Sequence, residues 1–90
     1  MTGLKSYPNP FNPMTRIEFR VVTTGPARLQ VYGLDGRVVA DLIDGIVPAG
    51  DHGLNWTARG DDGRMLPSGT YFIRLEADGA RLTERVTLLK

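Results

Sequence analysis

Turn residues recur too often in this chain for a long helix to form. Glycine and proline supply 11 and 6 of its 90 residues. They fall in clusters: Pro8–Pro13, Thr24-Gly25-Pro26, Asp35-Gly36, Asp44-Gly45, Pro48-Ala49-Gly50, Gly60–Gly63, Pro67-Ser68-Gly69 and Asp78-Gly79. Asp-Gly provides the positive φ that primed hairpin turns need, and Pro-x-Gly presets other turn types. The clusters stand roughly 6–10 residues apart, the length of ordinary strands. No stretch as long as an ordinary helix keeps a continuous 3.6-residue apolar period, so helix is at most a minor component.

Between the clusters the residues alternate with period two, as half-buried strands do. Arg16–Val22 sets Ile17, Phe19 and Val21 against Arg16, Glu18 and Arg20. Ala27–Gly33 sets Leu29 and Val31 against Arg28, Gln30 and Tyr32. Arg37–Ile43 turns Val38, Ala40 and Leu42 inward, with Val39 and Ile43 blurring the contrast. His52–Thr57 places Leu54 and Trp56 on one side. Thr70–Ala77 is the cleanest, with Tyr71, Ile73 and Leu75 in and Arg74 and Glu76 out. Arg81–Leu89 turns Leu82, Val86 and Leu88 inward, while Glu84 breaks the pattern and is expected near a mouth of the sandwich or beside an arginine. Six to seven strands at this spacing predict an all-β fold, an immunoglobulin-like antiparallel β-sandwich. Trp56 fits as its large core plug. Tyr71, after Ser68-Gly69-Thr70, fits as a corner tyrosine bonded back to the backbone.

A chain of this size builds one small core, with no room for separate cofactor and substrate domains. Residues 7–90 read as that single domain. Residues 1–6 read as a flexible tail or a cloning remnant, with Met1 an added start residue. The absence of cysteine excludes a disulfide framework, a cysteine-ligated metal site and a thiol nucleophile. Eleven basic and ten acidic side chains leave a net charge of +1, which gives no long-range pull toward nucleic acid or an anionic membrane. No apolar run reaches the ~18 residues of a membrane-spanning helix, and the N-terminus lacks the basic-then-apolar pattern of a signal peptide.

Catalytic and metal-binding constellations are weak. His52 is the one histidine, Ser6 and Ser68 the two serines, and no Gly-x-Ser-x-Gly turn is present. A Ser–His–Asp site would need Ser68 and His52 to converge with a carboxylate such as Asp51 beside an oxyanion hole. An anchoring hydrogen bond from His52 to its loop is the plainer expectation, so no enzymatic activity is expected. Asp61-Asp62-Gly63 lacks the alternate spacing of a calcium loop, so a turn-forming role is expected and no metal or cofactor. Arg59-Gly60-Asp61 spells the integrin tripeptide, an unremarkable coincidence among nine arginines, eleven glycines and seven aspartates. The outward arginines Arg16, Arg20, Arg28, Arg74, Arg81 and Arg85 are interleaved with Glu18, Glu76 and Glu84, which points to cross-strand ion pairs.

Tyr7-Pro8-Asn9-Pro10-Phe11-Asn12-Pro13 has a structural rationale of its own. Each proline fixes φ and drives the preceding residue toward extended backbone. Asn9 and Asn12 are expected to close turns on their own backbone, while Tyr7 and Phe11 pack on the sandwich. The missing N–H groups blunt an edge against unwanted pairing.

With Thr15 and Ile17, that segment resembles the opening of the C-terminal sorting domains of the type IX secretion system. It equally resembles the related Ig-like domain named after the flagellar hook-capping protein. The resemblance runs on through Val31-Tyr32, Asp35-Gly36-Arg37-Val38, Ala49-Gly50-Asp51-His52, Trp56, Asp62-Gly63 and Ser68-Gly69-Thr70-Tyr71 to Leu88-Leu89-Lys90. Gly33 departs from the Asp or Asn usual after Val-Tyr in such domains. The resemblance implies a non-catalytic sorting and translocation module of a larger secreted or cell-surface bacterial protein. Such a module follows an upstream cargo domain, crosses the periplasm and is recognised as a folded unit by an outer-membrane machine. The alternatives are a structural spacer of the hook-capping type and an accessory carbohydrate-binding module, for which Tyr32 and Phe72 are the outward aromatics. Partners are therefore proteins, with no nucleic acid and no membrane insertion, and the oligomeric state is open. The last strand is the expected interaction element, through Arg81, Arg85, Leu88, Leu89 and Lys90, because a terminal edge strand can extend a partner's sheet.

Overall fold

In the computed structural model, which describes residues 2–89, the period-two runs form two facing antiparallel sheets. The strands are β1 (Thr2–Tyr7), β2 (Thr15–Val21), β3 (Gly25–Tyr32), β4 (Val38–Val47), β5 (Gly50–Trp56), β6 (Gly69–Ala77) and β7 (Ala80–Leu88). One sheet has the order β1-β2-β5 and the other β4-β3-β6-β7. This is an immunoglobulin-like sandwich in which the fourth strand joins the sheet of the third, sixth and seventh.

The expected alternation decides the core. Ile17, Phe19 and Val21 of β2 meet Leu29 and Val31 of β3, Ile73 and Leu75 of β6, and Val86 and Leu88 of β7, all buried. Trp56 closes the core as expected, its ring 5.6 Å from that of Phe11. Asp78-Gly79 forms the tightest hairpin, joining the Ala77–Ala80 pair with φ of 54° and 69°. Both values are positive, as a type I′ turn requires. The Asp78 carboxylate also accepts hydrogen bonds from the backbone N–H of Val22 and Thr23 at 2.9 and 3.1 Å, tying this hairpin to the β2–β3 turn.

Four expectations need correction. Val38, expected to turn inward with Ala40, is 41% exposed opposite Tyr32, because the register shifts between the Val31–Ala40 and Tyr32–Val38 pairs. The tail expected over residues 1–6 is instead strand β1 from Thr2, antiparallel to β2 through Lys5–Glu18, Ser6–Ile17 and Tyr7–Arg16. Its period is invisible in sequence because a register shift between Thr2 and Lys5, where Gly3 takes a φ of 62°, interrupts it. Tyr7 does not pack inward and is 46% exposed. Asn9 does not turn on itself: its side-chain amide donates to the carbonyl of Arg85 at 3.0 Å and accepts from Thr87 N–H at 3.1 Å.

Asn9 thus presents one acceptor and one donor to β7 as a neighbouring peptide group would. Phe11 continues the match in a parallel bridge beside Leu88, donating its N–H to Thr87 and accepting from Leu89 N–H, both at 2.9 Å. The proline-rich segment therefore closes the C-terminal half of the β7 edge, and Phe11 pins it by burying its ring.

Candidate functional site

The outer face of β4-β3-β6-β7 is a ladder of four-residue rows. The first row runs Val38, Tyr32, Phe72, Arg85; the second runs Asp41, Gln30, Arg74, Thr83; the third runs Asp44, Arg28, Glu76, Arg81. Charges alternate along the third row, and Arg28 reaches Asp44 at 3.9 Å. The second row is organised by hydrogen bonds. Gln30 donates to Asp41 at 2.6 Å and accepts from the Tyr32 hydroxyl at 2.8 Å. The Arg74 guanidinium lies over the Tyr32 ring, 4.3 Å from its centroid. Among the described residues neither Arg74 nor Arg85 has a carboxylate partner, and Arg74 Nε is shielded with no acceptor.

The outer face of β1-β2-β5 is self-paired. Arg16 donates to Glu18 at 2.9 Å, Lys5 approaches the same carboxylate at 3.7 Å, and Arg20 meets Asp51 at 3.0 Å. Gly53 allows this, because a Cβ there would collide with the Arg16 guanidinium. The hydrogen bond from Arg16 holds the Glu18 carboxyl below its ordinary range, with a second contribution from the Tyr7 hydroxyl. Ion pairing, expected across strands for all the outward arginines, is cross-strand for Arg20 with Asp51 and for Arg28 with Asp44, runs along β2 for Arg16 with Glu18, and is absent among the described residues for Arg74, Arg81 and Arg85.

The groups considered for chemistry hold loops. The His52 ring stacks on Phe19, and its Nε2 lies 2.6 Å from the carbonyl of Pro48, the anchoring role expected of it. Ser68 precedes β6 at the end of the sandwich where Trp56 and Phe11 meet Leu88, four strand residues away from His52 along β5. The two do not converge. Arg59 donates to the carbonyl of Gly63 at 2.9 Å, Asp61 accepts from Asp41 N–H at 2.9 Å, and Asp62 accepts from Arg64 N–H at 2.9 Å. The Arg-Gly-Asp tripeptide and the acidic pair are thus built into one turn, onto which Trp56 also closes by donating to the carbonyl of Arg59 at 3.2 Å. Among the described residues no group of His, Asp and Glu is disposed to hold a metal ion. Tyr71 is the expected corner tyrosine: its hydroxyl donates to the carbonyl of Pro67 at 2.6 Å, and burial pushes its pKa up.

The residues expected to make the last strand an interaction element divide. Arg81 and Arg85 are exposed on the outer face. Leu88 is fully buried and belongs to the core, and Leu89 is half-exposed with its N–H bonded to Phe11. Lys90 lies outside the described residues. Since Asn9 and Phe11 occupy the edge from Arg85 to Leu89, that half of β7 is closed to strand addition. The contact between Arg74 and Tyr32 was not anticipated. Its signal was an Arg and a Tyr at outward positions of strands that became neighbours only once β3 and β6 paired.

A model of the FlgD Ig-like domain matches residues 10–81. Among solved structures, PorZ, an essential bacterial surface component of the type IX secretion system of Porphyromonas gingivalis, superposes with a TM-score of 0.68 at 20% identity. That match covers 98% of this chain and 12% of PorZ. FlgD from P. aeruginosa superposes with a TM-score of 0.57 at 23% identity, over 82% of this chain and 58% of FlgD. No curated protein matches in sequence. The chain therefore spans a fraction of each structure it resembles, and at these identities the likeness is one of fold.

Proposed function

The chain belongs to the FlgD Ig-like domain family, and from that premise we propose that it is a non-catalytic sorting and docking module of a larger secreted or cell-surface bacterial protein. In this reading an upstream cargo domain is delivered through the periplasm when an outer-membrane secretion machine recognises the folded module. The observation that carries the reading is the placement of the polar groups. His52, Trp56, Arg59, Asp61, Asp62 and Tyr71 hold loops, whereas Arg74, Arg81 and Arg85 stand outward with no ion-pair partner among the described residues. A domain so arranged acts through its surface. The likeness to a surface component of a type IX system supports the same direction.

The test is a fluorescent reporter carrying a signal peptide and fused ahead of this chain. In a bacterium with a type IX system, the reporter is expected at the surface or in the medium. In a strain lacking that system it accumulates in the periplasm. Equal periplasmic retention in both strains, with the domain folded, overturns the reading.

The family match itself favours a second reading, a spacer of the hook-capping type. It predicts assembly without export, which sedimentation of the isolated domain reads directly. The carbohydrate-binding alternative loses ground, because one face of Tyr32 is covered by Arg74 and its hydroxyl is engaged by Gln30.

A further inference from the structure

We propose that the β3-β6-β7 face binds an extended acidic segment of a partner protein, with carboxylates at alternate positions received by Arg74 and Arg85. The inference deepens the docking reading and rests on it for the availability of this face in the parent protein.

Charge placement makes the case. The third row compensates itself along Asp44, Arg28, Glu76 and Arg81. The first two rows do not: the cross-strand neighbours of Arg74 and Arg85 are Gln30, Phe72 and Thr83, none acidic, and Glu76, two residues along β6 from Arg74, makes no ion pair with it. Asp41, the one carboxylate in those rows, sits at the far strand and is engaged by Gln30. Two guanidinium groups are left on one face with no carboxylate of their own, whereas both arginines of the opposite sheet's outer face have one.

The site is also preorganised. Contact with the Tyr32 ring restrains the Arg74 guanidinium, and the hydrogen bond from Tyr32 to Gln30 holds the ring. A planar guanidinium held this way offers a fork of donors matched to a carboxylate, with less side-chain freedom to lose on binding. Arg74 pairs with Thr83 and Phe72 with Arg85, so the two arginines are diagonal neighbours across β6 and β7. Diagonal backbone positions lie about 7–8 Å apart, on the scale of the ~7 Å between alternate residues of an extended peptide, and from its position the Arg74 side chain leans over Tyr32 of β3. Phe72, opposite Arg85 and two residues before Arg74 on β6, borders both arginines on the same face.

The experiment uses the 90-residue chain and a short fluorescein-labelled peptide in which Glu alternates with Val, followed by fluorescence anisotropy. Binding is expected to weaken with added salt and to disappear for the peptide in which Gln replaces Glu. Arg85→Glu and Arg74→Gln should each weaken it about tenfold, as expected for loss of a charge-assisted hydrogen bond. Arg20→Glu, on the opposite sheet, should leave it unchanged. Because Arg85 is exposed, its variant keeps the test valid if Arg74→Gln fails to fold. Equal binding of the Gln peptide, no loss in Arg85→Glu, or binding of polygalacturonate that the Glu peptide fails to displace would each overturn the proposal. Peptide binding in solution and export of the reporter are separate readouts, so failure of this inference is distinguishable from failure of the sorting reading.

Discussion

Replacing Phe11 with alanine tests whether the proline-rich segment is part of the sandwich or merely leads into it. Phe11 is 1% exposed, stacks in a tilted arrangement on Trp56, and is flanked by two backbone hydrogen bonds to β7. Burying a phenylalanine side chain contributes about 1.5–3 kcal/mol. A well-placed aromatic pair adds about 0.5–1.5 kcal/mol. The bonds to Thr87 and Leu89 persist in the variant and prevent the segment from sinking into the space left by the ring, so a cavity cost remains. The expected loss is therefore about 3–4 kcal/mol, within the usual range for large-to-small aromatic changes.

A domain of this length holds roughly 5–13 kcal/mol in all, so the variant should fold and melt some 12–30 °C lower. Urea unfolding followed by far-UV circular dichroism and by Trp56 fluorescence reads the difference. With a slope of about 1–1.5 kcal/mol/M the midpoint should fall by about 2–4 M, the slope itself unchanged. A loss below about 1 kcal/mol at constant slope would mean that the ring is not seated against Trp56 and that the segment does not close the β7 edge.

Three further outcomes follow from the same structure. Tyr71→Phe removes the hydroxyl donated to Pro67 and should cost about 1 kcal/mol in urea unfolding. Burial raises the Tyr71 pKa above 10.0, so its share of stability is complete below that value and is lost as pH rises through the folded-state pKa; the variant should lack this part of the alkaline decline. Glu18 is held below 4.5 chiefly by its hydrogen bond from Arg16, so its contribution is present above that pH and disappears as pH falls through the lower folded-state value. Glu18→Gln should flatten the acid limb of a urea-midpoint profile, and an unchanged limb would refute the assignment. Removing Leu88 through Lys90 deletes a fully buried side chain and the Leu89 bond to Phe11, so the truncated chain should lose its cooperative thermal transition. A truncated chain melting like the full one would contradict the placement of Leu88.

What was legible in the sequence was whatever period two and turn chemistry encode within a few residues. Tyr71, Ile73 and Leu75 face inward because each flanks an outward residue of a regular strand. Asp78-Gly79 turns because Asp and Gly tolerate positive φ. The regions that misled are those where a local rule is overridden by a distant partner. A register shift near Gly3 hides β1 from a period-two reading, although β2 pairs with it. Asn9 has a local option, a turn on its own backbone, but β7 lies 76 residues away and offers Arg85 and Thr87 instead. The contact between Arg74 and Tyr32 likewise exists only after β3 and β6 pair.

The two roles given to the last strand fall on alternate residues of that strand. Val86 and Leu88 point into the core, while Arg81, Thr83 and Arg85 belong to the outer face of the ladder. A deletion from the C-terminus long enough to reach Arg85 also removes Val86 and Leu88, and so cannot separate folding from recognition. A substitution at Arg85 alters the outer set alone, since its side chain is exposed and the bond from Asn9 reaches its backbone carbonyl, which any residue supplies. The closure by Asn9 and Phe11 sharpens this division: with the C-terminal half of the β7 edge occupied, a partner meeting this half of the strand does so through the face. Arg85 is therefore the position at which the proposed recognition can be changed without touching the core.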